Sequence, residues 1–211
     1  LNAALPPPLP YALTRLVGRD SEITAIVDVL QRAESRLITI TGAGGVGKSR
    51  VAIAATGLAA AVLPADVGFI DLSVLDDPGL FPATLAGAFG LPLSTEPSSL
   101  YALQSALRDR PFLVLLDGFD RLLPAAVVLA ELLRGCPSLT VLVTSRARLQ
   151  VRGERVILLQ PLPVPTLESA AAPDVMRANP AVSLFLDRAR DIRPDFALSQ
   201  ETAAVVVQIV H

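Results

Sequence analysis

The 211-residue chain holds one lysine, one histidine and one cysteine, and each scarcity removes a class of chemistry. The histidine is His211, the last residue. Ser-His-Asp and Cys-His catalysis therefore have no internal base, and His/Cys zinc sites have no ligand set. The lone Cys136 excludes an internal disulfide framework. Lying between Gly135 and Pro137, it reads as a small, half-buried apolar residue at a helix end. Aromatic residues make up 4% of a chain that is 52% hydrophobic, so Ala, Val and Leu must fill the core. The formal net charge of −2 gives no general basic field. No basic patch with interleaved aromatics stands out, so direct nucleic-acid binding by this stretch is not expected. The longest uncharged apolar run, residues 51–65, falls short of the roughly 18 to 20 residues that span a bilayer, and no membrane partner is expected. The first residues lack the basic start and apolar core of a secretory signal. The chain begins without Met and stops in mid-pattern, and it reads as a piece of a longer cytoplasmic protein.

The length suits one large domain, or one domain and part of another. Residues 1–13 are proline-rich (Pro6, Pro7, Pro8, Pro10) and read as an extended arm. Asp20 and Ser21 are candidate N-caps for a helix with Ile23, Ile26, Val27 and Leu30 on one face. Short apolar segments at 37–41, 67–72, 112–116, 139–144 and 155–159 read as strands. Segments 48–62, 78–90, 98–108 and 124–134 read as helices between them. Strands alternating with helices define an α/β domain over residues 14–160, three layers deep, with a mainly parallel five-stranded sheet. Pro161, Pro163, Pro165 and Pro173, with Pro180 just beyond, then punctuate a linker over 161–179. Helices at 181–192 and 200–210, the second capped by Ser199, read as the start of a small helical domain over 180–211.

One segment carries strong chemistry. Gly42-Ala43-Gly44-Gly45-Val46-Gly47-Lys48-Ser49 matches the phosphate-loop pattern G-x-x-x-x-G-K-[ST], with a strand before it and a helix after it. Its glycines allow backbone N–H groups to converge on an anion. The helix starting near Lys48 adds its positive dipole end. The only lysine of the chain is at the phosphate-contacting position. Lys48 would reach the β- and γ-phosphates, Ser49 would ligate Mg²⁺, and Val46 and Arg50 border the same loop. The alternative is a glycine-rich turn without a ligand. Because no other lysine exists, the guanine-reading Asn-Lys-x-Asp motif is excluded, which favours ATP or ADP.

Three further residues lie at strand ends. Asp117 closes an apolar strand and suits a second Mg²⁺-orienting carboxylate, although an aspartate there also serves as a turn or cap residue. Asp120, three residues on, reads either as a group that positions or polarises a water or as charge at a helix start. Arg121 occupies the place a catalytic glutamate would take. Arg146, after the strand ending at Thr144, can face a γ-phosphate or be an ordinary surface arginine. Arg148 and Arg152 read as solvated.

The order of these motifs resembles the STAND class of signal-transduction NTPases, the NB-ARC and NACHT group, and in particular the ATPase modules of large bacterial regulators. The resemblance runs from Val17-Gly18-Arg19-Asp20 through the P-loop (Walker A), the Leu-Leu-Asp-Gly-Phe-Asp box and Thr144-Ser145-Arg146. It continues to Pro161-Leu162-Pro163 and Ala181-Val182-x-Leu184-Phe185, so it covers about residues 13–210. It implies that Val17, Gly18 and Arg19 line the adenine and ribose end of the pocket. It also implies that Lys48 and Ser49 hold phosphate and Mg²⁺, that Asp117 is the Walker B residue, and that Arg146 is the sensor. It further implies an ADP-bound resting state, exchange for ATP, and self-association in the ATP-bound form. Partners in such proteins include a winged-helix domain and sensor or effector domains, which this chain does not contain. The expected function is a nucleotide-dependent switch with slow Mg²⁺-dependent hydrolysis. An AAA+-type ring ATPase and a non-hydrolysing ADP-stabilised scaffold are the alternatives. A metabolic kinase is disfavoured, because no acceptor-substrate site is found.

Overall fold

The computed structural model describes residues 6–92, 98–166 and 173–211. Five apolar runs form its strands: β1 (Leu37–Thr41), β2 (Asp66–Asp71), β3 (Phe112–Asp117), β4 (Leu139–Thr144) and β5 (Glu154–Leu158). β1 reads Leu-Ile-Thr-Ile-Thr and is buried at every residue. β3 is buried at every residue but its last. β3 is apolar on both faces up to Asp117, as a strand covered on both sides must be, whereas β1 buries threonines among its isoleucines. All four pairings are parallel, and the strand order is β2-β3-β4-β1-β5. The sheet is thus parallel throughout, where the sequence indicated mainly parallel.

Parallel neighbours require crossovers. α2 (Lys48–Ala60) connects β1 to β2; α3 (Phe81–Ala88) and α4 (Ser98–Leu107) connect β2 to β3; α5 (Ala126–Gly135) connects β3 to β4. The period of two along each strand separates the sheet's faces. Phe112, Val114 and Leu116 of β3 join Leu139, Val141 and Val143 of β4 in one cluster with α3, α4 and α5. The intervening Leu113, Leu115 and Leu142 are equally buried and fall on the opposite face. α2 packs against the sheet through Val51, Ala52, Ala55, Thr56 and Ala59. Alanines let that helix approach closely, and the Thr56 hydroxyl is satisfied by donating to the Ala52 carbonyl at 2.7 Å. The amphipathic α1 (Asp20–Arg32) buries Ile23, Ile26 and Leu30. The few aromatics are concentrated in the α3–α5 core. Phe81 meets Phe119, and Phe89 meets Phe112, both edge to face at 5.3 Å. Such pairs contribute about 0.5–1.5 kcal/mol each beyond their buried area.

Several boundaries differ from expectation. The single helix expected over 78–90 is a 3₁₀ turn, Pro78–Leu80, followed by α3. The Asp77 carboxylate caps the turn by accepting from Gly79 N, and Pro82 stands in the first turn of α3, where its missing N–H costs nothing. Likewise 119–121 and 123–125 are 3₁₀ turns before α5. Residues 173–178 are helical (α6), although the sequence there reads as linker; 167–172 lie outside the described residues.

The contacts divide into two compact units. Residues 6–14 and Ser21–Leu159 form the first. In it the proline arm lies on the edge strand β2. Phe69 N donates to Pro7 O at 2.9 Å, and Pro6 packs directly on Gly68. Residues 1–5 lie outside the described residues. The second unit joins Arg15–Asp20 to the described residues of Gln160–His211. α7 (Pro180–Ile192) is capped by Asn179, which accepts from Ala181 N and Val182 N. α8 (Gln200–Val210) starts with a capping box between Ser199 and Thr202. Met176, Val182, Leu186, Leu198, Ala203, Val206 and Val207 make this unit's own core.

Candidate nucleotide site

In a parallel α/β sheet, ligands bind beyond the carboxyl ends of the strands. The strand order puts β4 between β1 and β3, with Ile40 beside Thr144 and Leu116 beside Val143. Three segments therefore emerge at one edge: the glycine loop after β1, Asp117 after β3, and Ser145-Arg146 after β4. The backbones of β1 and β3 are two strand spacings apart, about 10 Å. Side chains from both can meet over the end of β4.

The loop bears the imprint of close backbone approach. Gly42 has φ +150°, and a Cβ there would lie 2.5 Å from the Leu159 carbonyl oxygen. Gly47, with φ +100°, is the N-cap of α2. An L side chain at either would be strained. Gly45 also has positive φ, and nothing lies within 4 Å of where its Cβ or that of Gly47 would be. The loop thus offers an open surface above the α2 N-terminus, where orphan N–H groups and the helix dipole favour an anion. Lys48 Nζ bends back to donate to Gly42 O at 3.0 Å and Ala43 O at 2.9 Å. Its charge is held over the loop. Ser49 is half-buried in the first turn of α2. The Arg50 guanidinium donates to Thr14 O at 2.6 Å.

At the end of β3, the Thr144 hydroxyl donates to Asp117 Oδ1 at 2.5 Å and accepts from Gly118 N at 2.9 Å. Thr144 is buried. It fixes the Asp117 carboxylate and ties the β3 turn to β4. The sequence places Thr144 at a strand end and in the Thr144-Ser145-Arg146 box, without a role towards Asp117. The signal available was a hydroxyl closing an apolar strand adjacent to the acidic one. At the end of β4, Ser145 is buried and its N–H donates to Ile40 O. Arg146 then turns over the glycine loop, its guanidinium 3.6–3.8 Å from the position of a Gly44 Cβ.

Asp120 joins this edge. One carboxylate oxygen accepts from the backbone N–H of Arg146. The other lies 3.8 Å from Arg146 Nε. Arg121 pairs with Asp76; that hydrogen bond holds its pKa above the ordinary value. A cleft of about 500 Å³ opens between Ser73, Gly118, Asp120, Arg121 and Arg146. A larger one, about 640 Å³, lies where Arg36, Leu37 and Gly153 adjoin α5, at the amino end of β1. Arg148 and Arg152 are exposed.

Among the described residues, no group of three or more His, Cys, Asp or Glu could hold a metal by itself. Two oxygens, those of Ser49 and Asp117, stand on neighbouring elements. That donor set fits Mg²⁺, which keeps several waters and takes phosphate oxygens rather than an all-protein cage. Val17, Gly18 and Arg19 are grouped with the second unit. Gly18, at φ +64°, packs against Pro180 and Leu162, and Arg19 is buried. Cys136 is fully buried at the end of α5, and His211 contacts the Pro165 carbonyl in the second unit. Among the described residues no helix is long and apolar enough to cross a membrane.

Comparison with known proteins agrees with the fold. No protein-family model matches the chain. An uncharacterised protein of Mycobacterium tuberculosis is 33% identical over 198 residues, 93% of this chain and 47% of that protein. A putative HTH-type transcriptional regulator of the same species is 35% identical over 178 residues, 84% of this chain but 18% of the regulator. The chain therefore spans about half the length of the first relative and a fifth of the second. Among solved structures, a STAND protein with a tetratricopeptide repeat sensor from Pyrococcus horikoshii matches 94% of this chain and 28% of its own. The identity is 19% and the TM-score 0.52. A chain of the Drosophila ORC bound to DNA matches 90% of this chain and 55% of its own, at 14% identity and TM-score 0.54. A chain of the HORMA:CdnC:Trip13 complex of E. coli MS115-1 matches 92% and 90%, at 14% identity and TM-score 0.60. The fold is that of P-loop ATPases, with a further helical segment after the sheet.

Proposed function

We propose that this chain is the nucleotide-binding module of a regulatory ATPase, a switch whose state depends on bound ADP or ATP. The observation that carries this reading is the glycine loop at the end of β1, open above the α2 N-terminus and holding the only lysine. Phosphates would lie against the N–H groups of Gly42 to Ser49 and against Lys48. The two carbonyl contacts of Lys48 would be exchanged for phosphate oxygens. Ser49 and Asp117 would hold Mg²⁺, which when bound neutralises phosphate charge. Thr144 would keep Asp117 aimed. Arg146, at the end of β4, lies over the loop, and it would distinguish ATP from ADP by contact with the γ-phosphate. The assignment of Val17, Gly18 and Arg19 to the base end rests on resemblance alone. So do ADP as resting ligand, self-association with ATP, and further domains beyond this chain.

Two comparisons support a regulatory rather than metabolic role: one relative is a putative transcriptional regulator and one structural neighbour a STAND protein. The arrangement of the site supports slow turnover. Arg121 stands where a strong base would be expected, and Asp120 is engaged by Arg146.

The test is to purify the protein, denature it and identify released nucleotide. ADP or ATP at near one equivalent is expected. Lys48→Ala should reduce retained nucleotide at least tenfold while leaving far-UV circular dichroism unchanged. Retention by the folded variant would disprove the phosphate assignment.

A further inference from the structure

An aspartate three residues past the Mg²⁺-orienting carboxylate invites assignment as the group that activates water. The geometry around Asp120 is different. We infer that Asp120 is a positioning residue, which holds Arg146 over the glycine loop and so sets discrimination between nucleoside triphosphate and diphosphate.

Three observations meet here. Both carboxylate oxygens of Asp120 face Arg146, one accepting its backbone N–H and the other 3.8 Å from Nε. The bonded N–H is that of the second residue after β4, where the chain must turn. Ser145, one residue earlier, is anchored by its own N–H to Ile40 O of β1. The Arg146 main chain is therefore gripped from both sides, by β1 and by the turn after β3. Its guanidinium then lies over Gly44 of the loop, within van der Waals reach of where a Cβ would stand.

The two grips differ in strength. The ion pair is exposed, with 71% of the Arg146 side chain accessible, and such pairs contribute little. The hydrogen bond to the backbone N–H is charge-assisted and fixes direction. An asparagine can reproduce that bond through its amide oxygen, but it cannot act as a base. An alanine can do neither. The isosteric substitution thus separates positioning from proton transfer.

This inference rests on the switch reading, and the experiment keeps the two apart. Affinities for Mg²⁺-ATP and Mg²⁺-ADP are measured by calorimetry on the wild type, Arg146→Ala, Asp120→Ala, Asp120→Asn and the double alanine variant. Amide hydrogen exchange of Arg146 is followed without nucleotide. In Asp120→Ala the Arg146 amide should exchange at least tenfold faster and the ATP-to-ADP affinity ratio should fall about as far as in Arg146→Ala. The double variant should be no worse than either single one, because the residues act as a unit. Asp120→Asn should recover most of both properties. If Asp120→Asn and Asp120→Ala lose single-turnover hydrolysis equally while the affinity ratio and the Arg146 amide stay at wild-type values, Asp120 is the base and the inference fails. If the wild type binds neither nucleotide, the switch reading itself fails and takes this one with it.

Discussion

Thr39 lies in the middle of β1, fully buried, and its hydroxyl finds no hydrogen-bond partner among the described residues. A buried hydroxyl without a partner costs about 1–3 kcal/mol. Valine has nearly the same shape and no polar atom. Thr39→Val should therefore stabilise the first unit by about 1 kcal/mol, read as a higher urea midpoint at unchanged slope. A lower midpoint would mean that the hydroxyl is satisfied by a water. Cys136 shows the complementary effect of burial on a titrating group. Desolvation raises its thiol from the ordinary 9.0 to about 11, despite nearby Arg36 and Arg108. The folded state thus favours the neutral thiol. Its contribution to stability is complete below pH 9 and is lost as pH rises from about 9 towards 11. At pH 8 the thiolate fraction is on the order of one in a thousand. Native protein should resist thiol-specific alkylation at that pH, and denatured protein should react at once. Rapid reaction of the native form would show local opening at the end of α5.

At the scale of elements, the edges of the sheet show what the sequence could and could not reveal. Strands β1, β3 and β4 are legible because burial on both faces demands short runs made of apolar and β-branched residues. β5 is more exposed, at Val156 and Leu158, and legible only in company. The proline arm reads as extended, but its site does not follow from composition. It lies on β2 because Gly68 leaves room for Pro6 and because Phe69 N needs an acceptor, which Pro7 O supplies. Proline offers acceptors but no donor, so this arm occupies the β2 edge without extending the ladder. A Cβ at Gly68 would lie 2.0 Å from Pro6 Cγ, closer than any packed pair. Gly68→Val should displace the arm, speed exchange of the Phe69 amide at least tenfold, and promote concentration-dependent self-association through the uncovered edge. Light scattering would detect it; a monomer with a protected Phe69 amide would refute it. The site divides in the same way. The glycine loop and the acidic strand end are local patterns and can be read directly. The role of Thr144 and the grip of Asp120 on Arg146 depend on β4 lying between β1 and β3, an order that no local pattern specifies. The 3₁₀ turns before α3 and α5 share the apolar spacing of the helices they precede, so periodicity merges them.

At the scale of the molecule, two units with separate cores decide what a switch must show. The glycine loop, Asp117 and Arg146 all belong to the first unit, whereas Val17, Gly18 and Arg19 group with the second through contacts such as Gly18 with Pro180. That grouping joins segments some 160 residues apart, and so it was invisible in sequence. Any ligand of the native state stabilises it by mass action, by about 2.7 kcal/mol at a hundred times its Kd. For a protein of this size that is roughly 5–10 °C in Tm. Such a shift with Mg²⁺-ADP or Mg²⁺-ATP is expected, and its loss in Lys48→Ala would tie it to the loop. Stabilisation alone, however, does not make a switch. ADP and ATP must bias different states, and a ligand with equal affinity for both states shifts nothing. The discriminating measurement is amide exchange in α7 and α8 under saturating ADP and then ATP. A switch predicts different rates in those helices, because the nucleotide's third phosphate must be read outside the loop that holds it. Equal rates in α7 and α8, with the first unit equally protected by both nucleotides, would make this chain a nucleotide-stabilised scaffold instead.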